Sequence, residues 1–102
     1  MNTNTTKRLS PIHPGEILRD LMEESGLNAN ALALALRVPS NRIGGILKGD
    51  RGISADTALR LARYFGTSGQ IWLNLQAKYD LAVAEDNFGR RIVAEVLPLC
   101  AA

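Results

Sequence analysis

Two short helical segments are separated by only three residues, and this join constrains the fold more than any other feature of the chain. The spacing of apolar residues predicts one helix over Ala29–Leu36 and another that begins at Pro39 or Ser40 and ends at Gly49. Only Arg37, Val38 and Pro39 lie between them. Two short helices joined this tightly must cross steeply, which is the geometry of a helix-turn-helix.

Three further helices are predicted from proline, glycine and capping signals. The first covers residues 14–25, with Pro14 in its first turn and Gly26 at its end. Ser54 is placed to cap a fourth helix over residues 55–65, as Asn28 is for the second helix. The core face predicted for this fourth helix consists of Ala58, Leu59, Leu61, Ala62 and Phe65.

The fifth helix is predicted from Gln70 to about residue 85, and Thr67 with Gln70 suggests a capping box at its start. This helix has two apolar faces. One apolar face satisfies the core of a small domain, so a second favours burial against another chain; the alternative is that the tail folds back over it. The first face holds Ile71, Trp72, Leu75, Tyr79 and Ala82, and the second, predicted as a dimer interface, holds Leu73, Ala77, Leu81 and Ala84.

The two ends of the chain differ in composition from the helical region. Residues 1–11 are polar and predict a flexible arm, which leaves a helical domain over residues 12–84. Residues 85–102 contain β-branched residues in loose alternation. A short strand, an extra helix to Leu97 and a disordered end all remain open for this tail.

Cysteine and histidine content excludes several kinds of site. Cys100 and His13 are the single cysteine and histidine, so an internal disulfide, a cysteine-based zinc cluster and a two-histidine metal site are excluded. No GxSxG motif accompanies a possible Ser/His/Asp set. No apolar run approaches the roughly 18 residues of a membrane span, and residues 1–11 lack the apolar stretch of a signal peptide. We expect a cytoplasmic protein that is not an enzyme and needs no metal or cofactor, with His13 as a turn or capping residue and Trp72 in the core.

The outward face of the third helix carries side chains suited to nucleic acid. Helical spacing turns Ile43, Ile46 and Leu47 toward the core. The opposite side holds no acidic residue; asparagine pairs naturally with adenine and arginine with guanine in the major groove. The polar face of any surface helix is the alternative interpretation, and the Gly44–Gly45 pair either lets the backbone approach a groove or lets the helix fray. This outward side holds Asn41, Gly45 and Lys48, with Arg42 and Gly44 on its flanks and Ser40 at the N-terminal tip of the helix.

Three segments together resemble a known family. The stretch LNANALALALRVPSNRIGGILKGDRGISADTALRLARYFGTS resembles the Cro/C1-type (XRE, lambda repressor-like) helix-turn-helix domain. HPGEILRDLMEESGL before it and GTSGQIWLNLQAKYDL at its end are similar to the HigA (VapI-like) antitoxins. The resemblance covers residues 12–81, roughly 70 of the 102. It implies an all-α fold of five helices, with the helix-turn-helix at about residues 28–48.

The resemblance also implies a set of DNA contacts. Bases would be contacted from the start of the third helix, and phosphates from the start of the second helix and from the loop after the third. A Gln often stands at the position of Ala29, and Gly is usual where Arg37 stands. A left-handed backbone would strain Arg37, which either offsets the strain by reaching a phosphate or accompanies a different turn. The implied base contacts are Ser40, Asn41, Arg42 and Gly45, and the phosphate contacts are Asn28, Asn30, Arg37, Lys48 and Arg51.

Family likeness alone implies a toxin partner. HigA-type proteins repress their own operon as dimers on operator DNA and neutralise a RelE-like (HigB-type) ribonuclease toxin. A stand-alone Cro/C1-type regulator without a toxin is the first alternative. A helical protein-interaction module that has lost DNA binding is the second.

The charge distribution agrees with DNA binding by the middle of the chain. The whole sequence has a net charge of only +2. Residues 28–63 carry 6 basic and 2 acidic side chains, which gives +4, whereas the segments on either side carry −1 each. The positive charge is therefore concentrated on the helix-turn-helix and the helix that follows it.

Overall fold

The computed structural model describes residues 11–100, and every regular element in this range is an α-helix. The predicted all-α fold of five helices is confirmed. The predicted arm lies almost entirely outside the described residues, as do the last two residues of the tail. The helices are α1 (Pro14–Ser25), α2 (Ala29–Leu36), α3 (Ser40–Lys48), α4 (Ala55–Phe65) and α5 (Gly69–Glu95).

Side-chain caps begin four of the five helices. His13 Nδ1 accepts a hydrogen bond from the Gly15 N–H at 2.9 Å. Asn28 Oδ1 accepts one from the Ala31 N–H at 2.8 Å, and Ser54 Oγ caps α4. These three capping predictions are confirmed. Each cap satisfies a helical N–H group that has no partner within its own helix.

The predicted capping box at the start of α5 is wrong. Ser68 is the N-cap, and its Oγ accepts a hydrogen bond from the Ile71 N–H at 3.2 Å. The Thr67 hydroxyl instead accepts a hydrogen bond from Trp72 Nε1 at 3.0 Å. The buried indole N–H of Trp72 needs a hydrogen-bond acceptor. Because the Thr67 hydroxyl fills this role, it does not cap the helix.

The turn between α2 and α3 has a left-handed residue, which is one of the two alternatives that the sequence left open for Arg37. Arg37 has φ 60° and ψ 46°, and it is the one non-glycine residue between positions 11 and 100 with positive φ. The Val38 N–H donates to the Ala33 carbonyl oxygen at 3.0 Å and closes the end of α2. A non-glycine residue in this conformation costs about 1–2 kcal/mol.

All five helices contribute to one hydrophobic core. Gly15 on α1 lies directly against the Ile46 carbonyl oxygen of α3, where a Cβ atom would not fit. This close approach sets α3 against α1. The core residues that are fully buried include Leu18, Leu32, Ile43, Ile46, Leu61 and the predicted core residue Trp72.

Two residues predicted to be buried are exposed. Leu59 is 66% exposed, because the inward stripe of α4 follows Ala58 and Leu61 and Leu59 lies about 100° and 200° around the helix from them. Ile71 is 51% exposed, because it lies in the first turn of α5, beside the more deeply inserted Trp72. In both helices, the side predicted to face the core is wider than the side that is buried.

The fifth helix is longer than the sequence predicted. It continues to Glu95, ten residues beyond the expected end, so the helical alternative for the tail is the one observed. Arg91 and Glu95 support its last turns with a hydrogen-bonded ion pair of 3.2 Å. Because residues 85–95 continue the same helix, they do not fold back over its second apolar face.

Candidate nucleic-acid interface

Helix α3 presents its polar side to solvent, as its sequence predicted. Ile43 and Ile46 are completely buried between α1 and α2. Ser40, Asn41 and Lys48 are exposed on the other side, and Arg42, Gly44 and Gly45 are half-buried. The Arg19 guanidinium of α1 donates to the Leu47 carbonyl oxygen at 3.1 Å and satisfies the end of α3.

The beginnings of α2 and α3 lie side by side. Asn30 and Ser40 line one shallow depression together with Val38. Asn28 uses its Oδ1 as the cap of α2, so its Nδ2 is the side-chain atom that could donate to a phosphate. The structure therefore brings Asn30, one of the two predicted phosphate contacts at the start of α2, next to the first predicted base contact of α3.

The loop after α3 folds back onto that helix. The N–H groups of Asp50 and Arg51 donate to the Gly45 carbonyl oxygen at 2.9 and 3.1 Å. A Cβ atom at Gly45 would lie 3.3 Å from the Cβ of Arg51, so Arg51 covers part of Gly45. A predicted base contact and a predicted phosphate contact are thus neighbours, and Gly45 can contribute only its backbone.

Gln76 of α5 holds the other end of this loop. Its Oε1 accepts a hydrogen bond from the Ile53 N–H at 2.8 Å, and its Nε2 donates to Asp80 at 2.9 Å. Gly52 lies against the same amide group. Sequence analysis did not identify Gln76 as a residue that holds this loop. The one signal in the sequence was the position of Gln76 between the two apolar faces of α5.

Arg42 in the first turn of α3 and Arg51 in the loop after that helix line a common cleft beside the start of α4. Gly52, Ser54 and Thr57 complete it. The cleft is open to solvent and joins a predicted base contact to a predicted phosphate contact. The positive charge of its two guanidinium groups makes this cleft suited to anionic ligands.

Asp56 and Arg60 of α4 extend this cluster, and sequence analysis missed both. Asp56 Oδ2 accepts hydrogen bonds from Arg42 Nη1 at 3.0 Å and from Arg60 Nε at 2.9 Å. Arg60 Nη1 also donates to the Leu36 carbonyl oxygen of α2 at 2.9 Å. The four-residue spacing of Asp56 and Arg60 on α4 was a sequence signal for their pairing, but nothing in the sequence indicated Arg42 as a third member.

Both arginines keep the Asp56 carboxylate ionised. The hydrogen bond from Arg60 is the largest influence that lowers the pKa of Asp56 below its usual value. Partial desolvation acts in the opposite direction, while the charge of Arg60 and the hydrogen bond and charge of Arg42 lower the pKa further.

The remaining predicted phosphate contacts have exposed side chains. Arg37, Lys48 and Arg51 are exposed, and within residues 11–100 none of them forms an ion pair. Their charges therefore face solvent, unlike that of Arg42.

The predicted dimer interface lies on α5. Leu81 is 66% exposed and Ala77 is exposed, whereas Ala84 is half-buried. Leu73 packs partly against the core of its own chain. The most exposed apolar atoms of this face are thus those of Leu81.

Between residues 11 and 100, no helix is long and apolar enough to cross a membrane. The same range contains no group of three or more histidine, cysteine or acidic side chains that could hold a metal ion.

A helix-turn-helix family model, HTH_3, matches residues 18–72. This match covers more than half of the chain. It includes α2, α3 and the turn between them, together with α4, most of α1 and the start of α5.

Known proteins with strong similarity include an antitoxin bound to DNA. Virulence-associated protein I of Dichelobacter nodosus is 52% identical over 89 residues, which are 86% of this chain and 81% of that protein. A HigA-family addiction module antidote protein of Coxiella burnetii is 50% identical, with a TM-score of 0.84 over 88% of this chain and 99% of that chain. Pseudomonas aeruginosa antitoxin HigA, solved with the higBA promoter, is also 50% identical, with a TM-score of 0.85 and the same coverage.

Proposed function

This chain belongs to the HigA (VapI-like) antitoxins within the Cro/C1-type helix-turn-helix family, and we propose that it represses its own operon as a dimer and neutralises a RelE-like (HigB-type) ribonuclease toxin. It performs this role by binding rather than by catalysis, in the cytoplasm.

The polar outward face of α3 is the observation that carries the DNA-binding part of the proposal. This face contains Asn41 and Lys48 and no acidic residue, and the surrounding residues 28–63 have a charge of +4. The HigA antitoxin of Pseudomonas aeruginosa is 50% identical and has a very similar fold, and its structure was solved with the higBA promoter. Helix α3 therefore enters the major groove of operator DNA in this proposal.

We assign sequence reading to the start of α3 and phosphate binding to its surroundings. Asn41 pairs with adenine and Arg42 with guanine, whereas Gly45 lets the backbone approach the groove because no side chain stands in the way. Residues 12–84 form the DNA-binding domain and residues 85–102 its tail. The base contacts are Ser40, Asn41, Arg42 and Gly45; the phosphate contacts are Asn28, Asn30, Arg37, Lys48 and Arg51.

The dimer is proposed to form through the second apolar face of α5, which consists of Leu73, Ala77, Leu81 and Ala84. The exposure of Leu81 supports this assignment, because burial of an exposed leucine against a second copy is favourable. A two-fold dimer matches an operator with two half-sites about 34 Å apart. The toxin partner follows from family membership, without a surface assigned to it.

DNA binding and toxin binding are tested separately. In a gel shift, we expect the protein to bind a fragment of its own promoter saturably and to lose affinity steeply as salt rises. The absence of such a shift would contradict the repressor. Co-expression with the neighbouring gene should yield a complex with a small basic toxin; a chain that purifies alone, with an intact promoter shift, indicates a stand-alone regulator instead.

A further inference from the structure

Arg42 is held in place by the protein itself. Its Nη1 donates to Asp56 Oδ2 at 3.0 Å, and its side chain is only 30% exposed. Asp56 is fixed in turn by Arg60, which is anchored to the Leu36 carbonyl oxygen. This chain of hydrogen bonds connects α2, α3 and α4, so the two elements that flank α3 determine where the Arg42 guanidinium lies.

The bond to Asp56 leaves the base-reading edge of Arg42 available. A guanidinium has five N–H donors in a planar fork, and Asp56 is bonded to one nitrogen, Nη1. The edge formed by Nε and Nη2 can still donate two parallel hydrogen bonds to O6 and N7 of a guanine. A side chain already fixed in this way loses less rotamer freedom when it meets the base.

We propose that Asp56 is a specificity-determining residue, which positions Arg42 to read guanine while its own charge weakens binding to all DNA alike. The inference rests on the proposed entry of α3 into the major groove. A carboxylate beside the DNA backbone repels every sequence alike, so it lowers affinity for all DNA. A positioned Arg42 adds a bidentate contact only where a guanine is present. Asp56 therefore increases the ratio of specific to non-specific binding through Arg42, rather than affinity itself.

A purely structural role for Asp56 makes a different prediction. Asp56 lies in the first turn of α4 and is 57% exposed, where an acidic residue favours the helix and pairs with Arg60. If that were its whole role, Asp56→Asn would lower the melting temperature slightly and leave base discrimination unchanged.

The test compares Asp56→Asn with Asp50→Asn. Asp50 is an exposed acidic residue in the loop after α3. Its substitution changes the net charge by the same amount but leaves the ion pair between Arg42 and Asp56 in place. Dissociation constants are measured for the promoter fragment, for fragments with each half-site base pair replaced in turn, and for scrambled DNA. Circular dichroism melts confirm that each variant is folded.

We expect Asp56→Asn to lose about tenfold in discrimination at the base pairs where Arg42→Ala also loses it, and to bind scrambled DNA at least as tightly as the wild type. In the Arg42→Ala background, Asp56→Asn should have no further effect on discrimination. Asp50→Asn should change affinity for all fragments equally. Arg60→Gln keeps the Asp56 carboxylate but removes the ion pair that fixes it, so this variant should lose less discrimination than Asp56→Asn at the same base pairs.

If Asp56→Asn discriminates as well as the wild type at the base pairs read by Arg42, the inference about Asp56 is overturned and the proposed function is unaffected. A wild-type protein that does not distinguish its promoter from scrambled DNA would instead overturn the proposed function. If Arg42→Ala discriminates as the wild type does, Arg42 does not read a base and the role of Asp56 falls with it.

Discussion

Gln76 of α5 accepts a hydrogen bond from the Ile53 N–H at 2.8 Å and so ties the loop after α3 to the last helix of the domain. The loop carries Arg51, and its other end is bonded to the Gly45 carbonyl oxygen. The conformation of a predicted phosphate contact therefore depends on a side chain two helices further along the chain.

Replacement of Gln76 by Ala should destabilise the protein by about 1–2 kcal/mol, because the part-buried Ile53 N–H loses its acceptor. Urea unfolding measures this change. Gln70→Ala is the matched control, since Gln70 is exposed and bonds only to the Asn74 side chain. Equal stability of the two variants would show that Gln76 does not hold the loop.

Glycine to alanine substitutions at two helical positions should have opposite effects. At Gly15, a Cβ atom would overlap the Ile46 carbonyl oxygen, so α1 must move away from α3. We expect a loss of about 1–3 kcal/mol, as for other overpacked sites. At Gly44, the Cβ would meet open space, and Ala should add about 0.5–1 kcal/mol through its higher helix propensity.

Thermal melts of both variants test the packing, and promoter binding of Gly44→Ala tests the purpose of the glycine pair. A stabilised Gly44→Ala protein with weakened promoter binding is the expected result, because the added methyl group would hold the backbone away from the groove. Unchanged promoter binding would indicate that Gly44 is not at the interface.

Arg37→Gly separates backbone strain from DNA binding. Glycine adopts the observed φ of 60° without strain, so we expect stability to rise by about 1 kcal/mol. If Arg37 contacts a phosphate, affinity should fall similarly for promoter and scrambled DNA, and the slope of log K against log salt should decrease by about 1. A variant that is more stable than the wild type and binds DNA equally tightly would show that Arg37 does not contact DNA.

The pKa of Asp56 gives an independent measure of its ion pairs. Because the pKa in the folded protein lies below its usual value, the interaction is complete at neutral pH and is lost as the pH falls through the folded pKa. Carboxyl carbon NMR shifts should therefore titrate at a lower pH than those of an unpaired aspartate. Arg60→Ala should raise the midpoint more than Arg42→Ala, and the reverse order would contradict the geometry of the pair.

Local sequence signals were sufficient for most of the fold. Pro14, the cap residues Asn28 and Ser54, and the terminal glycines act on their own helices, so their effects can be derived from neighbouring residues. The short join at residues 37–39 forces the two helices to cross steeply, which made the helix-turn-helix predictable. The conformation of Arg37 was left open, because a different turn would have avoided the strain.

The errors arose where distant residues decide the outcome. Thr67 was assigned to a capping box, but Trp72 requires its hydroxyl. Leu59 belongs to an apolar stripe by spacing, yet the neighbouring helices do not cover it. The Arg42–Asp56 pair was missed because its members are 14 positions apart and meet only when α3 and α4 are packed. The contacts assigned to DNA and to the dimer remain predictions.

Sequence-specific DNA binding is tested most directly by the affinity of the wild type and of Arg42→Ala for the promoter and for scrambled DNA of equal length at one salt concentration. We expect the wild type to prefer the promoter and Arg42→Ala to lose about 1–3 kcal/mol on the promoter, with little change on scrambled DNA. Equal losses on both DNAs would place Arg42 on a phosphate, and a wild type without preference would contradict sequence-specific repression by this chain.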